Sequence, residues 1–298
     1  MPADLKIGVN VYKFSDFSRD FREVVHFVQT AERLGYSHVR FQDHVVGIAA
    51  EKHGGLANTP YTDRSVLREC FTIISYLTAV TSRIEFMTGV LVLPQRQTAL
   101  VAKQAAEIDI MSGGRISLGV GIGYNAVEYE ALGMGFKDRA ARFEEQVHVL
   151  RRLWTENDVS FQGQFHTLTD VSLAPRPSRR IPLFFGMGRS ANPIPPDVVL
   201  ERCGRLADGW LPIFGPDEAG REAVGKVHDA AARAGRDPSD LVMEMGLSVD
   251  GLGVGEIQDE LGRRRAFGAQ RVNLQVSGTS AAEQTAQIER LAEALALC

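Results

Sequence analysis

Residues 84–124, IEFMTGVLVLPQRQTALVAKQAAEIDIMSGGRISLGVGIGY, decide the fold class of this chain. Two runs within them, 84–93 and 116–120, are apolar on both faces, which is typical of parallel strands with helices on both sides of their sheet. The segment 97–111 between the runs has helical periodicity. Both runs end in glycine-bearing sequence, and parallel α/β proteins bind ligands at the carboxyl ends of their strands. The segment therefore predicts an α/β fold with its chemistry at that end.

The same alternation continues along the chain. Beyond the two runs already described, strands are predicted at 6–11, 38–42, 181–186, 209–214, 241–249 and 271–276, with helical patterns between them. Eight such units predict a (β/α)8 TIM barrel with insertions. A doubly wound sheet would need a break into two halves, and no linker is seen. We therefore expect a single domain over residues 1–298.

Two segments interrupt this rhythm. Residues 46–68 are too long for an ordinary connection, so they are a candidate cover for an active site. Residues 159–166, VSFQGQFH, predict a hairpin that turns at Gly163, within an insert of about 158–181.

Composition excludes several classes of function. The chain has 298 residues, 44% of them hydrophobic, and a formal net charge of -4, which argues against bulk electrostatic binding to nucleic acid or to anionic membranes. No apolar run is long enough to span a membrane, and the N-terminus lacks the pattern of a signal peptide. Cys70, Cys203 and Cys298 form no CxxC pair. We therefore expect a cytoplasmic protein without a disulfide framework.

Two groups of residues follow predicted strands and are candidates for chemistry. Asp43 and His44 come directly after the second strand, where histidine could exchange a proton at neutral pH; the alternative is a pair that only holds the loop. Gly186-Met187-Gly188-Arg189-Ser190 follows the fifth strand and could cradle a phosphate with backbone N–H groups and a cation; an exposed glycine-rich turn is the alternative.

Motifs for other chemistries are absent from the sequence. Gly119, Gly121 and Gly123 do not have GxGxxG spacing, so they do not indicate a dinucleotide site. Neither HExxH nor GxSxG occurs, no His/Cys cluster has the spacing of metal ligands, and no cysteine has a recognisable nucleophile setting. We therefore expect no metal, and an organic cofactor that carries the chemistry.

An ordered set of short motifs resembles the bacterial luciferase-like superfamily, and within it the oxidoreductases that use the deazaflavin coenzyme F420. The matching pieces are FQDH (41–44), TSRI (81–84), TGVLVLP (88–94), SGGRI (112–116), LGVG (118–121), EYEALG (128–133), LW (153–154), VSFQG (159–163) and ADGW (207–210). Users of flavin mononucleotide (FMN) share most of these motifs, so the set is more specific for the superfamily than for the cofactor.

The resemblance implies a luciferase-like barrel, a cofactor at the carboxyl ends of the strands, and usually a homodimer. His44 matches the histidine at the reactive edge of the cofactor ring, and Gly89-Val90 matches a bulge, often with a cis peptide, that backs the ring. The residues assigned to cofactor binding are Asp43, Thr88, Gly89, Val90, Gly121, Gly186, Met187, Gly188, Arg189 and Ser190.

Two departures limit what the resemblance implies. Sugar-phosphate dehydrogenases of the family carry a glutamate after the fourth-strand glycines, where this chain has Tyr124, so that activity is not assigned. The usual phosphate-loop pattern is Gly-Gly-x-Ser, and here it is stretched over residues 186–190.

The prediction is an oxidoreductase that passes hydride between coenzyme F420 and a small organic substrate. His44 would handle the proton, and Tyr124 would be the next catalytic candidate, shaping the substrate side together with the loop at 47–68. An FMN-dependent monooxygenase is the alternative, and a non-catalytic flavin-binding protein is a further one.

Overall fold

Eight parallel strands form the centre of the structure, which is a computed structural model that describes residues 5–11, 20–53, 61–278 and 280–297. Within these residues the strands are Lys6–Asn10 (β1), His38–Phe41 (β2), Glu85–Val92 (β3), Ile116–Gly121 (β4), Leu183–Met187 (β7), Gly209–Pro212 (β8), Val242–Ser248 (β9) and Arg271–Gln275 (β10). They close into a barrel in the order β1-β10-β9-β8-β7-β4-β3-β2. The predicted TIM barrel is confirmed.

Helices cover the outside of the barrel and connect its strands. Their bounds are Phe21–Arg33 (α1), Cys70–Ala79 (α2), Thr98–Ser112 (α3), Ala126–Ala131 (α4), Arg139–Thr155 (α5), Asp197–Leu206 (α6), Glu218–Arg233 (α7), Val254–Phe267 (α8) and Ala281–Leu295 (α9). In the described parts of the chain, no helix has the length and apolarity needed to cross a membrane.

The insert between α5 and β7 contains an antiparallel pair, Val159–Gln162 (β5) and Thr167–Val171 (β6). The predicted turn at Gly163 is confirmed, since its N–H donates to the carbonyl of His166 at 2.9 Å. Glu145 of α5 holds this turn by accepting from the N–H groups of Gln164 and Phe165. The predicted bounds of the hairpin, 159–166, were wrong, because its second strand is Thr167–Val171. The sequence did not indicate this strand, since its mostly exposed residues lack an alternating apolar pattern.

Alternate residues of the barrel strands serve two separate cores. Phe185 points outward and meets Phe143 of α5 with ring centroids 4.9 Å apart, within the large core between helices and strands. Its neighbour Phe184 belongs to a smaller cluster with Met87 and Leu211, which we place inside the barrel. This alternation follows from the two-residue period of a strand.

Candidate active site

His44 lies three residues beyond the end of β2, at the carboxyl end of the barrel. Its imidazole Nδ1 is 3.3 Å from Oε2 of Glu128, and its ring lies 3.8 Å from that of Tyr61, measured between centroids. The side chain is 13% exposed. A carboxylate and an aromatic face therefore fix the imidazole while part of it reaches solvent.

Glu128 is a site residue that the sequence analysis missed. It lies on the short helix α4, where Asn125 forms the N-cap and accepts from the N–H of Val127. The Glu128 carboxylate is 1% exposed and also accepts from the N–H of Val45 at 2.7 Å and from Gln95 Nε2 at 3.2 Å.

Burial opposes ionisation of Glu128, but hydrogen bonds from His44, Val45 and Gln95 outweigh it and hold the pKa of this carboxyl below its ordinary value. Glu128 is therefore an anion at neutral pH. The Asn-x-x-Glu spacing at 125–128 is a helix-start signal that could have indicated the helix, although not its contact with His44.

Two tyrosines complete the aromatic surroundings of His44. Tyr61, from the segment predicted to cover the site, is 1% exposed, and its hydroxyl accepts from Asn125 Nδ2 at 2.8 Å. The Tyr124 ring meets the imidazole edge-on at 6.4 Å between centroids. Burial raises the pKa of both phenols, so both stay protonated at neutral pH. Residues 54–60 of the predicted cover lie outside the described residues.

The Tyr124 hydroxyl is buried and has no hydrogen bond of good geometry within the described residues. A buried phenol of this kind normally has a partner. The polar group of the protein that interacts with this oxygen is the hydroxyl of Tyr61.

The end of β3 contains a bulge that meets glycines of β4 and β7. The register with β4 shifts between Thr88 and Leu91, and the Gly89–Val90 peptide is cis, so the expected bulge is present. Val90 packs against two glycines: a Cβ would lie 2.8 Å from its side chain at Gly121 and 2.6 Å at Gly186. These glycines leave room for Val90, and we refer to Gly89-Val90, with Gly121 and Gly186, as the glycine floor.

Thr88 lies under this floor and not on it. Its side chain is fully buried, and its hydroxyl donates to the Gly119 carbonyl at 2.7 Å. That hydrogen bond ties β3 to β4 immediately before the bulge. The Thr88 side chain therefore positions the floor, and a ligand above could meet only its backbone.

Asp43 is held by its own partners. Its carboxylate is 1% exposed, and it accepts from Arg96 Nη2 at 2.7 Å and from the N–H of Val92 at 3.2 Å. Burial raises the pKa of Asp43 above its ordinary value, although the Arg96 guanidinium acts in the opposite direction. The side chain thereby fastens the residues after β2 to the end of β3 and to the segment that follows it.

Asp43 also lies close to Glu69 and Cys70, within the distances that a metal site would need. The position between the carboxylates is taken by Arg96, whose Nη1 is 3.0 Å from Glu69 Oε1. Burial raises the pKa of the Cys70 thiol well above its ordinary value, so it stays protonated. This cluster is an internal ion pair, and Cys70 has none of the features of a nucleophile.

The loop at 186–190 forms a tight turn after β7. Gly188 has a φ of 85°, and Arg189 and Asn192 exchange two backbone hydrogen bonds of 3.0 and 2.8 Å. The Met187 side chain is buried in the large core between helices and strands, so only its backbone could reach a ligand. Arg189 and Ser190 are exposed. β7 pairs with β4, which pairs with β3. The loop therefore shares the carboxyl end of the barrel with the glycine floor.

Comparison with known proteins identifies the family. The sequence model of the family described as luciferase-like monooxygenase matches residues 7–250. The F420-dependent glucose-6-phosphate dehydrogenase of Segniliparus rotundus is 30% identical over 262 residues, which cover 84% of this chain and 70% of that protein.

Two solved structures share the fold. An F420-dependent secondary alcohol dehydrogenase, in complex with an F420-acetone adduct, aligns with a TM-score of 0.78 at 17% identity, covering 99% of both chains. The monooxygenase RslO1 from Streptomyces bottropensis aligns with a TM-score of 0.75 at 22% identity, covering 98% of both chains. The chain therefore belongs to the luciferase-like monooxygenase family and is an oxidoreductase.

Proposed function

We propose that this protein transfers hydride between coenzyme F420 and a small organic substrate. The observation that carries the proposal is the position of His44, fixed by Glu128 at the same end of the barrel as the glycine floor. The similarity to F420-dependent glucose-6-phosphate dehydrogenases supports the choice of the deazaflavin.

The residues present fit a flat ring with a phosphate-bearing chain. Gly89 and Val90 would back the ring, since Gly121 and Gly186 leave the Val90 side chain room to lie flat between them. The backbone of 186–190, with the exposed Arg189 and Ser190, would hold the phosphate. When bound, coenzyme F420 supplies the atom that accepts or gives the hydride.

His44 would move the proton that accompanies the hydride. Because its Nδ1 faces the Glu128 carboxylate, proton exchange with the substrate is assigned to Nε2. Glu128 would hold the ring in one orientation, in the way that a buried carboxylate orients a catalytic histidine in other enzymes. Tyr124 would contact the substrate through its hydroxyl.

The substrate side of the site is aromatic and apolar. Tyr61 and Tyr124 flank His44, and Val45, the next residue along the chain, is 39% exposed. Tyr124 also occupies the position where the sugar-phosphate dehydrogenases of the family carry a glutamate. We therefore propose an uncharged organic substrate in preference to a sugar phosphate.

Titration of the protein with coenzyme F420 and with FMN in separate calorimetry experiments tests the cofactor choice. Tighter binding of coenzyme F420 is expected, and tighter binding of FMN would contradict the proposal. We also propose that the protein is a homodimer and that it is cytoplasmic. Measurement of its mass by light scattering would test the first proposal, and fractionation of source cells would test the second.

An FMN-dependent monooxygenase is the second candidate, because the structurally similar RslO1 is a monooxygenase. In that case oxygen uptake with reduced FMN would depend on added substrate. A non-catalytic flavin-binding protein is the third, and tight binding of a flavin without turnover of any reductant would indicate it.

A further inference from the structure

A chain of alternating charges runs through the interior of the barrel. Lys6 Nζ lies 2.7 Å from Glu85 Oε1, and Glu85 Oε2 lies 3.0 Å from Arg271 Nη1. Arg271 Nε lies 3.0 Å from Glu244 Oε2, and Glu244 Oε1 accepts from Arg40 Nη1 at 3.2 Å. Barrel interiors are normally filled by branched apolar side chains, so this charge chain requires an explanation.

The charges of these five side chains do not balance. Three cations, Lys6, Arg271 and Arg40, share two carboxylates. Lys6 is half exposed at the amino end of the barrel, where water screens it. Arg40 is 16% exposed, and its carboxylate partner Glu244 is fully buried and shared with Arg271.

A buried cation without a full counter-charge is unfavourable. His38 lies 3.1 Å from Glu244 as well, and burial lowers the pKa of this imidazole, so it adds no charge at neutral pH. Arg271 and Arg40 therefore share the buried Glu244 carboxylate, and Arg40 is the cation at the end of the charge chain that lies nearest Gly89.

Arg40 lies directly against the glycine floor. A Cβ placed on Gly89 would be 2.3 Å from Cδ of Arg40 and 2.9 Å from its Nε. Gly89 therefore permits the arginine to pass beneath it, and no side chain of residue 89 separates the guanidinium from whatever lies above. The stem of Arg40 therefore lies against Gly89, and its charged end extends from there to Glu244.

We propose that Arg40 makes the cofactor site favour the reduced, more negatively charged form of the bound cofactor. The inference rests on the proposed function, because it requires a redox cofactor on the glycine floor. When a substrate C–H bond breaks and both electrons leave with the hydrogen as hydride, the ring that accepts it gains one negative charge and the substrate loses one. A fixed cation under the ring stabilises that product, since it acts in a site of low dielectric constant. The charge of Arg40 therefore favours hydride transfer in the direction from substrate to cofactor.

The test is the ratio of the dissociation constants of reduced and oxidised coenzyme F420, measured anaerobically for wild type and variants. Arg40→Met keeps the aliphatic stem under Gly89 and removes the charge. Arg40→Gln is a second neutral variant, in which the amide can still donate to Glu244. Arg40→Lys keeps the charge, and Lys6→Met removes a cation from the same charge chain at the far end of the barrel.

A unit charge acting over about 10 Å at an effective dielectric constant of about 20 changes a charge-dependent equilibrium by about 10- to 20-fold. We expect the neutral Arg40 variants to shift the ratio by that factor toward the oxidised form, and Arg40→Lys and Lys6→Met to stay within about threefold of wild type.

An unchanged ratio in a neutral variant that folds, with wild type binding the cofactor, would overturn this inference alone. An equal loss of affinity for both forms would also overturn it, because it would show a purely structural arginine. If wild type binds neither form, the proposed function fails together with the inference.

Discussion

Replacement of His44 by glutamine is the most direct test of the proposed chemistry. Glutamine can donate a hydrogen bond to Glu128 in place of Nδ1 but cannot exchange a proton at neutral pH. A general acid or base typically contributes about 10²–10⁴ in rate. We expect turnover to fall by about that factor, with cofactor affinity within about tenfold of wild type.

The structure also sets the expected change in stability. His44→Gln keeps a partner for Glu128 and loses the ring contact with Tyr61, and aromatic pairs contribute about 0.5–1.5 kcal/mol. The corresponding fall in melting temperature is only a few degrees. His44→Ala leaves the buried Glu128 carboxylate short of one donor, which costs about 1–3 kcal/mol. Glutamine is therefore the cleaner variant.

The assay is steady-state turnover with coenzyme F420, together with cofactor titration and a melting curve for each variant. His166→Gln is a matched control, because His166 is also a half-buried histidine with Nδ1 on a glutamate, Glu145, at 2.7 Å. It lies on the β5–β6 insert, where its Nε2 is 2.6 Å from Thr98 Oγ1. We expect its turnover to stay within about twofold of wild type.

Two results would refute the assignment. Near-full turnover in His44→Gln would show that the histidine does not transfer the proton. Loss of activity that tracks the unfolded fraction would show a structural histidine. In either case the Tyr124 hydroxyl would be the next candidate.

Three further changes have expected outcomes. Glu128→Gln should lower turnover by about 10- to 100-fold. The same range is typical of metalloproteins that lose a carboxylate that orients a metal-binding histidine. Unchanged kinetics would remove Glu128 from the mechanism. Gly186→Ala should weaken cofactor binding at least about tenfold, because the added Cβ would meet the Val90 side chain at 2.6 Å. Gly225→Ala is the control: it lies in α7, where a Cβ meets open space, so cofactor binding should be unchanged and the melting temperature should rise. Burial opposes ionisation of Glu244, but the hydrogen bond from His38 and the guanidinium groups of Arg271 and Arg40 lower the pKa of this carboxyl below its ordinary value. Its stabilisation is therefore present above about pH 4.3, the pKa in the unfolded chain, and is lost as the pH falls below that value; a melting temperature that stays flat on acidification would contradict this.

Much of the fold follows from short-range patterns. The apolar run at 84–93 and the helical period at 97–111 predicted β3 and α3 to within two residues at each end. The strand β6 and the helix α4 are exceptions; α4 has only six residues and is too short for a periodic signal. The strand predicted at 209–214 is shorter in the structure. It ends at Pro212, which is the last residue paired with β7.

The sequence by itself determined the barrel, the carboxyl end as the location of His44 and the glycines, and the resemblance to a family. It did so because strand order and side-chain period are local properties that the chain carries along its length. The tertiary structure alone decided which groups meet. Glu128 reaches His44 across 84 residues, and Glu244 reaches Arg40 across 204. These contacts exist only when the barrel closes, since closure sets the relative stagger of strands that no local pattern specifies.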